Sequence, residues 1–164
     1  MIRINLSSLV NAPVGQREVV VLNHEALVLG DLRLKYLEGE LRFTRLANGI
    51  LVEGVLQSEV QTECTRCLEP FYEPVAIELQ DTLGLPGASL TPERPVRVTE
   101  DGWADISPLV REYAWLGLPL NPLCTLDCKG LCVHCGGNLN RGECTCDSSE
   151  PTDRRWDVLR SLLK

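Results

Sequence analysis

The chain has 164 residues and a mass of 18.2 kDa, enough for one domain or one domain with a small appendage. It is 44% hydrophobic and 24% charged, too apolar for a disordered chain. A net charge of −7 excludes a basic nucleic-acid binder as the default, and no apolar run approaches the roughly 20 residues of a membrane span.

Met1 to Leu6 lack the apolar stretch and small-residue cleavage site of a signal peptide, so a cytoplasmic location is expected. Residues 1 to about 105 read mostly as strands. Glu18-Val19-Val20-Val21-Leu22 is a short β-branched run, and Leu32, Leu34 and Tyr36 alternate with charged residues. Leu41 to Leu46 alternate as well, and Asn48-Gly49 follows them. That dipeptide between two alternating runs predicts a hairpin with a type I′ turn, which needs positive φ at both central residues. The return strand runs from Ile50 to about Glu63 and delivers Cys64 at its end. Pro70 and Pro74 bracket Phe71 and Tyr72, and Val75 to Leu83 reads as an antiparallel strand. Cys64 and Cys67 are thereby placed in a tight loop between two strands.

Residues 84–101 read as a surface loop, punctuated by Gly84, Pro86, Gly87, Pro92 and Pro95 and without an apolar period. A helix follows. Asp105 or Ser107 can cap it and Pro108 suits its first turn. Leu109, Val110, Tyr113, Ala114 and Leu116 keep helical spacing, and Gly117 and Pro119 end it. Trp103 and Trp115 read as core or helix-packing residues. Residues 119–146 are rich in cysteine, and 147–152 form a short linker. A short C-terminal helix then carries Trp156, Leu159, Leu162 and Leu163 on one stripe. Of these, Trp156, Leu159 and Leu163 are expected either to dock on their own domain or to bind a partner. The expected fold is α+β: an antiparallel β-rich core with one helix over residues 1–118, then a cysteine-rich metal-binding tail with a C-terminal helix over 119–164. The core carries the whole net charge of −7, and the tail is balanced.

The eight cysteines fall as Cys64-x2-Cys67 and Cys124-x3-Cys128-x3-Cys132-x2-Cys135-x8-Cys144-x-Cys146. Disulfides are a poor default in a reducing compartment. Six of the eight lie within 23 residues, a crowding that suits sulfurs converging on a tetrahedral ion. Eight ligands make two four-thiolate sites. The expected partition is Cys132, Cys135, Cys144 and Cys146 for one, and Cys64, Cys67, Cys124 and Cys128 for the other. Cys132-Val133-His134-Cys135-Gly136-Gly137 has the form of a zinc knuckle, in which glycines let amide N–H groups turn toward sulfur. His134 could replace one of the thiolates or simply face solvent. The second site would tie the strand loop to the segment after the helix. Two zinc ions are the preferred reading, although four thiolates suit an iron–sulfur site too.

Two other chemistries use these spacings. Cys128-x3-Cys132-x2-Cys135 matches a radical-SAM cluster motif, but it lies near the end of a small chain. Cys64-Thr65-Arg66-Cys67 could be a redox pair, but such a motif belongs at a helix start, and here it sits between strands beside prolines. His24 and His134 have no catalytic partner in a recognisable motif, and no phosphate-binding glycine loop is present. Nothing in the sequence indicates catalysis or a small-molecule substrate.

Three blocks carry a family resemblance. Cys64-Thr65-Arg66-Cys67-Leu68-Glu69-Pro70-Phe71 resembles a C-x-R-C-L-x-P-F signature. Asp127 to Asn140 resembles D-C-x-G-L-C-x-x-C-G-x-N-L-N and is followed by Cys144-x-Cys146. Asp153 to Leu159 is similar to a D-x-R-W-x-x-L ending. Together, in order, they resemble the YceD family of large-ribosomal-RNA-subunit accumulation proteins. One departure lies at Val133-His134, near which proline is common; it touches a knuckle turn and leaves the cysteines intact. The resemblance implies a non-enzymatic cytoplasmic ribosome-biogenesis factor, needed for accumulation of large-subunit ribosomal RNA. Its expected partner is a ribosomal protein or that RNA, and the acidity favours the protein. Arg154, Arg155, Arg160 and Lys164 keep RNA contact open. The alternatives are a thiol-redox-responsive zinc protein and a structural zinc module that binds a non-ribosomal protein.

Overall fold

Long alternating runs need neighbours on both sides to satisfy their backbone groups, and here they find them in an antiparallel sheet. The computed structural model describes residues 1–89, 91, 95–142 and 144–146. Its elements in chain order are β1 (Arg3–Asn5), α1 (Ser7–Val10), β2 (Arg17–His24), β3 (Leu27–Leu29), β4 (Leu32–Leu46), β5 (Gly49–Glu63), β6 (Pro70–Leu83), β7 (Trp103–Asp105) and α2 (Ser107–Gly117). The main sheet has the order β2-β4-β5-β6, with β3 also paired to β4, and β1 pairs with β7 separately. The fold is α+β and mostly antiparallel. The expected C-terminal helix, with Trp156, Leu159 and Leu163, lies outside the described residues.

Alternation decides which face is covered. Ile50, Val52, Leu56 and Val60 of β5 face the same side as Val75, Ile77, Leu79 and Leu83 of β6, and all are buried. Leu109, Val110 and Ala114 of α2 close over that side, with Tyr113 Oη donating to the Gln80 carbonyl at 2.8 Å. Ile2, Ile4, Leu6 and Leu9 complete the core from the N-terminus.

In β4 the simple alternation fails. Leu32 and Leu34 point inward, but the next inward residue is Leu37 rather than Tyr36. The register shifts between Leu34 and Leu37: these pair with Val60 and Ser58, so β4 carries one extra residue. This is a β-bulge, and it reverses the parity of the strand. The Ser58 hydroxyl, almost fully buried, donates to the Tyr36 carbonyl at 2.5 Å. Ser58→Ala is therefore expected to destabilise the chain by about 1–3 kcal/mol, since it leaves that carbonyl without its donor. Urea unfolding checks this; an unchanged midpoint would show that the bulge needs no such support.

The β4–β5 hairpin forms where expected, but its loop is Ala47-Asn48, because Leu46 already pairs with Gly49. Leu68 is the one described residue other than glycine with positive φ, so the turn is not type I′. Gly49 serves a close approach instead: a Cβ there would lie 2.7 Å from the Leu83 carbonyl oxygen. β6 starts at Pro70, earlier than Val75, and includes both Pro70 and Pro74. Both are tolerated because β6 is an edge strand, where a missing N–H costs no ladder bond.

The segment after β6 is more than a surface loop. Gly84 N–H donates to the Val96 carbonyl and Val98 N–H to the Gly84 carbonyl, which carries Val96 and Val98 into the core. Asp105 accepts the Ser107 N–H at 3.0 Å at the start of α2. Ser107 Oγ instead accepts the Ile2 N–H at 2.6 Å. Trp103 and Trp115 are both exposed rather than core, and the Arg3 guanidinium lies over the Trp103 ring.

Candidate metal centres

The β5–β6 turn creates the first cluster of sulfurs. Cys64 N–H donates to the Glu69 carbonyl at 3.0 Å, and Leu68 N–H donates back to the Cys64 carbonyl at 2.9 Å. Leu68, at φ 59°, lets the chain reverse. That geometry leaves the Cys64 and Cys67 side chains on the same side of the turn. The segment after α2 comes to meet them. Thr65 N–H donates to the Pro122 carbonyl at 3.0 Å, and Arg66 reaches the Cys128 carbonyl at 3.0 Å. Cys64, Cys67, Cys124 and Cys128 then form one group, whose sulfurs all lie within 4.8 Å of one another. Cys64, Cys67 and Cys128 are buried, and Phe71 and Leu123 pack against them.

The second group is Cys132, Cys135, Cys144 and Cys146, with the same compactness. It is far more open: Cys135 and Cys146 are exposed and the other two half-buried. Cys132 N–H donates to the Gly137 carbonyl at 2.8 Å and Gly136 N–H to the Cys132 carbonyl at 2.9 Å, which closes a small loop. Backbone N–H groups turn toward the sulfurs: His134 N–H lies 3.4 Å from Cys132 Sγ, Gly137 N–H 3.4 Å from Cys135 Sγ, and Cys146 N–H 3.4 Å from Cys144 Sγ. Only the His134 backbone serves here; its imidazole belongs to neither group.

The distances fit a single tetrahedral ion. Four sulfurs at the Zn–S length of about 2.3 Å from a common centre are about 3.8 Å apart along each edge. Cys64–Cys128 measures 3.8 Å, Cys67–Cys124 3.7 Å and Cys135–Cys144 3.8 Å. All eight cysteines are free thiols. A cluster of several irons would hold its four cysteines farther apart. The two groups can therefore each hold one metal ion.

Thiol acidities follow from the crowding. Burial would raise Cys64, but N–H groups of Cys124, Cys67 and Arg66 bring it down to about 6. Backbone N–H groups of Cys135 and His134 hold Cys132 at about 6. The Glu69 N–H acts to lower Cys67, yet burial and the sulfurs of Cys64, Cys124 and Cys128 push it up to about 12. Cys135 and Cys144 push Cys146 up to about 12. One thiolate repels the next, so neighbouring sulfurs keep protons until a cation neutralises them.

Three residues to which sequence reasoning assigned no role join the site. Asn140 Nδ2 lies 3.3 Å from Cys128 Sγ, and Asn140 Oδ1 accepts the Lys129 N–H at 2.8 Å. Asn138 Nδ2 donates to Glu69 Oε1 at 3.2 Å, and Arg141 Nη2 to Glu69 Oε2 at 2.9 Å. The available signal was the Asn138-Leu139-Asn140 run between two cysteines, polar side chains with no apparent helix or strand to serve. Trp156, Leu159 and Leu163, and the basic residues Arg154, Arg155, Arg160 and Lys164, lie outside the described residues. Among the described residues, no helix is long and apolar enough to cross a membrane.

The pattern of the family described as large ribosomal RNA subunit accumulation protein YceD matches residues 52–163, a stretch that contains all eight cysteines. An uncharacterised protein of Mycobacterium tuberculosis is 31% identical over 136 residues, covering 77% of this chain and 62% of the relative. The chloroplastic large ribosomal RNA subunit accumulation protein YCED homolog 1 of Arabidopsis thaliana is 24% identical over 143 residues, covering 68% of this chain and 43% of the relative. Its namesake from Zea mays is 28% identical over 134 residues, with 63% and 46% covered. The chain thus spans about three fifths of the length of the mycobacterial relatives it matches, and less of the plant ones. No solved structure matches.

Proposed function

Because the chain belongs to the YceD family, we propose that it is a non-catalytic, cytoplasmic ribosome-biogenesis factor that supports accumulation of large-subunit ribosomal RNA. Each cysteine quartet holds one structural zinc ion. Cys64, Cys67, Cys124 and Cys128 hold the first ion, and Cys132, Cys135, Cys144 and Cys146 the second. The ions supply rigidity: binding free energy becomes folding free energy for segments with little core of their own. The observation that carries the reading is the family match across residues 52–163.

The direct partner in this reading is a basic ribosomal protein. The open face of the sheet carries more acid than base around exposed valines: Val21, Glu40, Val55 and Glu78 lie opposite one another in register across β2, β4, β5 and β6, with Glu38 and Glu53 beside them and Arg42 opposite Glu53. Such a surface repels phosphates and attracts lysine and arginine. The test is depletion in cells. The ratio of large- to small-subunit ribosomal RNA is expected to fall at least two-fold and to recover when the intact chain is expressed. An unchanged ratio overturns the proposal. In-cell ultraviolet cross-linking at defined sites of large-subunit ribosomal RNA would replace the protein partner by direct RNA contact.

A further inference from the structure

The two quartets are not independent staples. The loop between Cys135 and Cys144, two members of the second quartet, lies against the first. Leu139 N–H donates to the Gly130 carbonyl at 2.9 Å. Asn138 and Arg141 both reach the Glu69 carboxylate, while the Glu69 backbone carbonyl accepts the Cys64 N–H. Asn140 makes the most direct contact. Its amide nitrogen points at Cys128 Sγ from 3.3 Å, and its amide oxygen is fixed by the Lys129 N–H. The Asn138 side-chain oxygen, 2.9 Å away, accepts from that same Asn140 amide nitrogen and from the Asn140 N–H. The oxygen contact orients the amide so that its donor faces the sulfur.

We propose that Asn140, held in place by closure of the second quartet, is a positioning residue that strengthens metal binding by the first, so that filling either centre tightens the other. This rests on the reading of both quartets as metal centres. A donor to a metal-bound thiolate stabilises its negative charge and fixes its orientation, and loss of such partners typically costs 10–100-fold in metal affinity. A metal at the second quartet pins both ends of the loop that carries Asn140. The benefit is reciprocal by linkage: what the second ion does for the first, the first does for the second.

Asn140→Asp separates donor from structure. The carboxylate still accepts the Lys129 N–H, but it cannot donate to Cys128 and sets a negative charge beside the sulfur. Asn140→Ala removes the donor without adding charge. The full chain is stripped of metal under reducing conditions and titrated with zinc against a competing chelator, then with cobalt as a spectroscopic probe. Both variants are expected to bind two ions, the first centre weakened 10–100-fold and the second losing only the smaller part of its affinity that the filled first centre supplied. The thiolate-to-cobalt band of the weakened ion should move to lower energy, which a merely structural role would not produce. In Cys144→Ser, which opens the second quartet, the remaining ion should itself bind more weakly than the tighter centre of the wild type. Adding Asn140→Asp there should cost less than it does in the intact chain. First-centre affinity within two-fold of wild type in both Asn140 variants overturns the inference while leaving the metal reading intact. So does an equal loss at both centres, which would make Asn140 a general fold residue. A wild-type chain that takes up no metal overturns the metal reading, and the coupling with it.

Discussion

Cys128→Ser in the full chain is expected to lower metal content from two ions to one and to release the segment after α2 from the β5–β6 turn. Among the described residues, the direct contacts that hold this segment and the loop beyond it to the turn are Thr65 to Pro122, Arg66 to the Cys128 carbonyl, Asn138 and Arg141 to Glu69, and the small cluster with Phe71 and Leu123. Each hydrogen bond contributes about 1 kcal/mol net. A structural zinc ion contributes about 10–16 kcal/mol in small zinc-binding peptides at neutral pH. The metal term is therefore larger than the contacts it reinforces. The main core, from Ile2 through Ala114, is a separate apolar cluster that needs no sulfur. Limited proteolysis should cut the variant at residues 119–131 at least ten-fold faster than wild type, while the far-ultraviolet β signal persists. Equal protection would mean that contacts rather than metal hold the segment. Loss of the β signal as well would mean that the core depends on the first centre.

Gly54→Ala is expected to be the most damaging single-methyl change in the sheet. Gly54 faces Leu41 in the β4–β5 pair, at φ +157°, and a Cβ there would lie 2.2 Å from the Glu40 carbonyl oxygen. Gly39 stands in the same relation to the Val55 carbonyl oxygen, at 2.4 Å. The two central strands therefore approach each other too closely for any side chain at either point. Both contacts are with backbone, which cannot rotate away. Backbone strain of about 1–3 kcal/mol adds to an overpacking cost of about 1–3 kcal/mol. That sum is a large share of the roughly 5–15 kcal/mol that holds a typical domain. Gly15→Ala is the control: its φ is also positive, but nothing lies within 4 Å of the added carbon. It should show the strain alone. Urea midpoints measure both, and equal shifts would show that the clash is relieved at no cost.

Those two glycines also mark where sequence reading stops. Alternation reveals a strand because every second side chain must leave water, and it located β2, β4, β5 and most of β6. It cannot reveal a bulge, because one extra residue leaves composition unchanged. Leu37, not Tyr36, becomes the core residue only through the pairing with Ser58. Val96 and Val98 were illegible for a related reason. Two apolar residues among prolines carry no period, and their burial depends on a bridge to Gly84 across the chain.

The chemistry of the candidate site divides along the same line. Cysteine identity and short spacing are local properties, and they determine by themselves that sulfurs two or three residues apart can face a common point. Asparagine spacing carries no comparable signal, since Asn140 gains its meaning from Cys128, which lies in the other quartet. Cys67 and Cys124 are 57 residues apart, and no local rule brings them together. The tertiary structure does so in two moves. The β5–β6 turn presents Cys64 and Cys67, and α2, packed along β6, delivers the following loop to that end of the sheet. What the sequence by itself determined was the set of candidate sulfurs and the strands that carry them, because both depend on neighbours along the chain. Which sulfurs meet, how deeply each is buried and which amide reaches them were decided by packing, because those contacts exist only once distant segments share one surface.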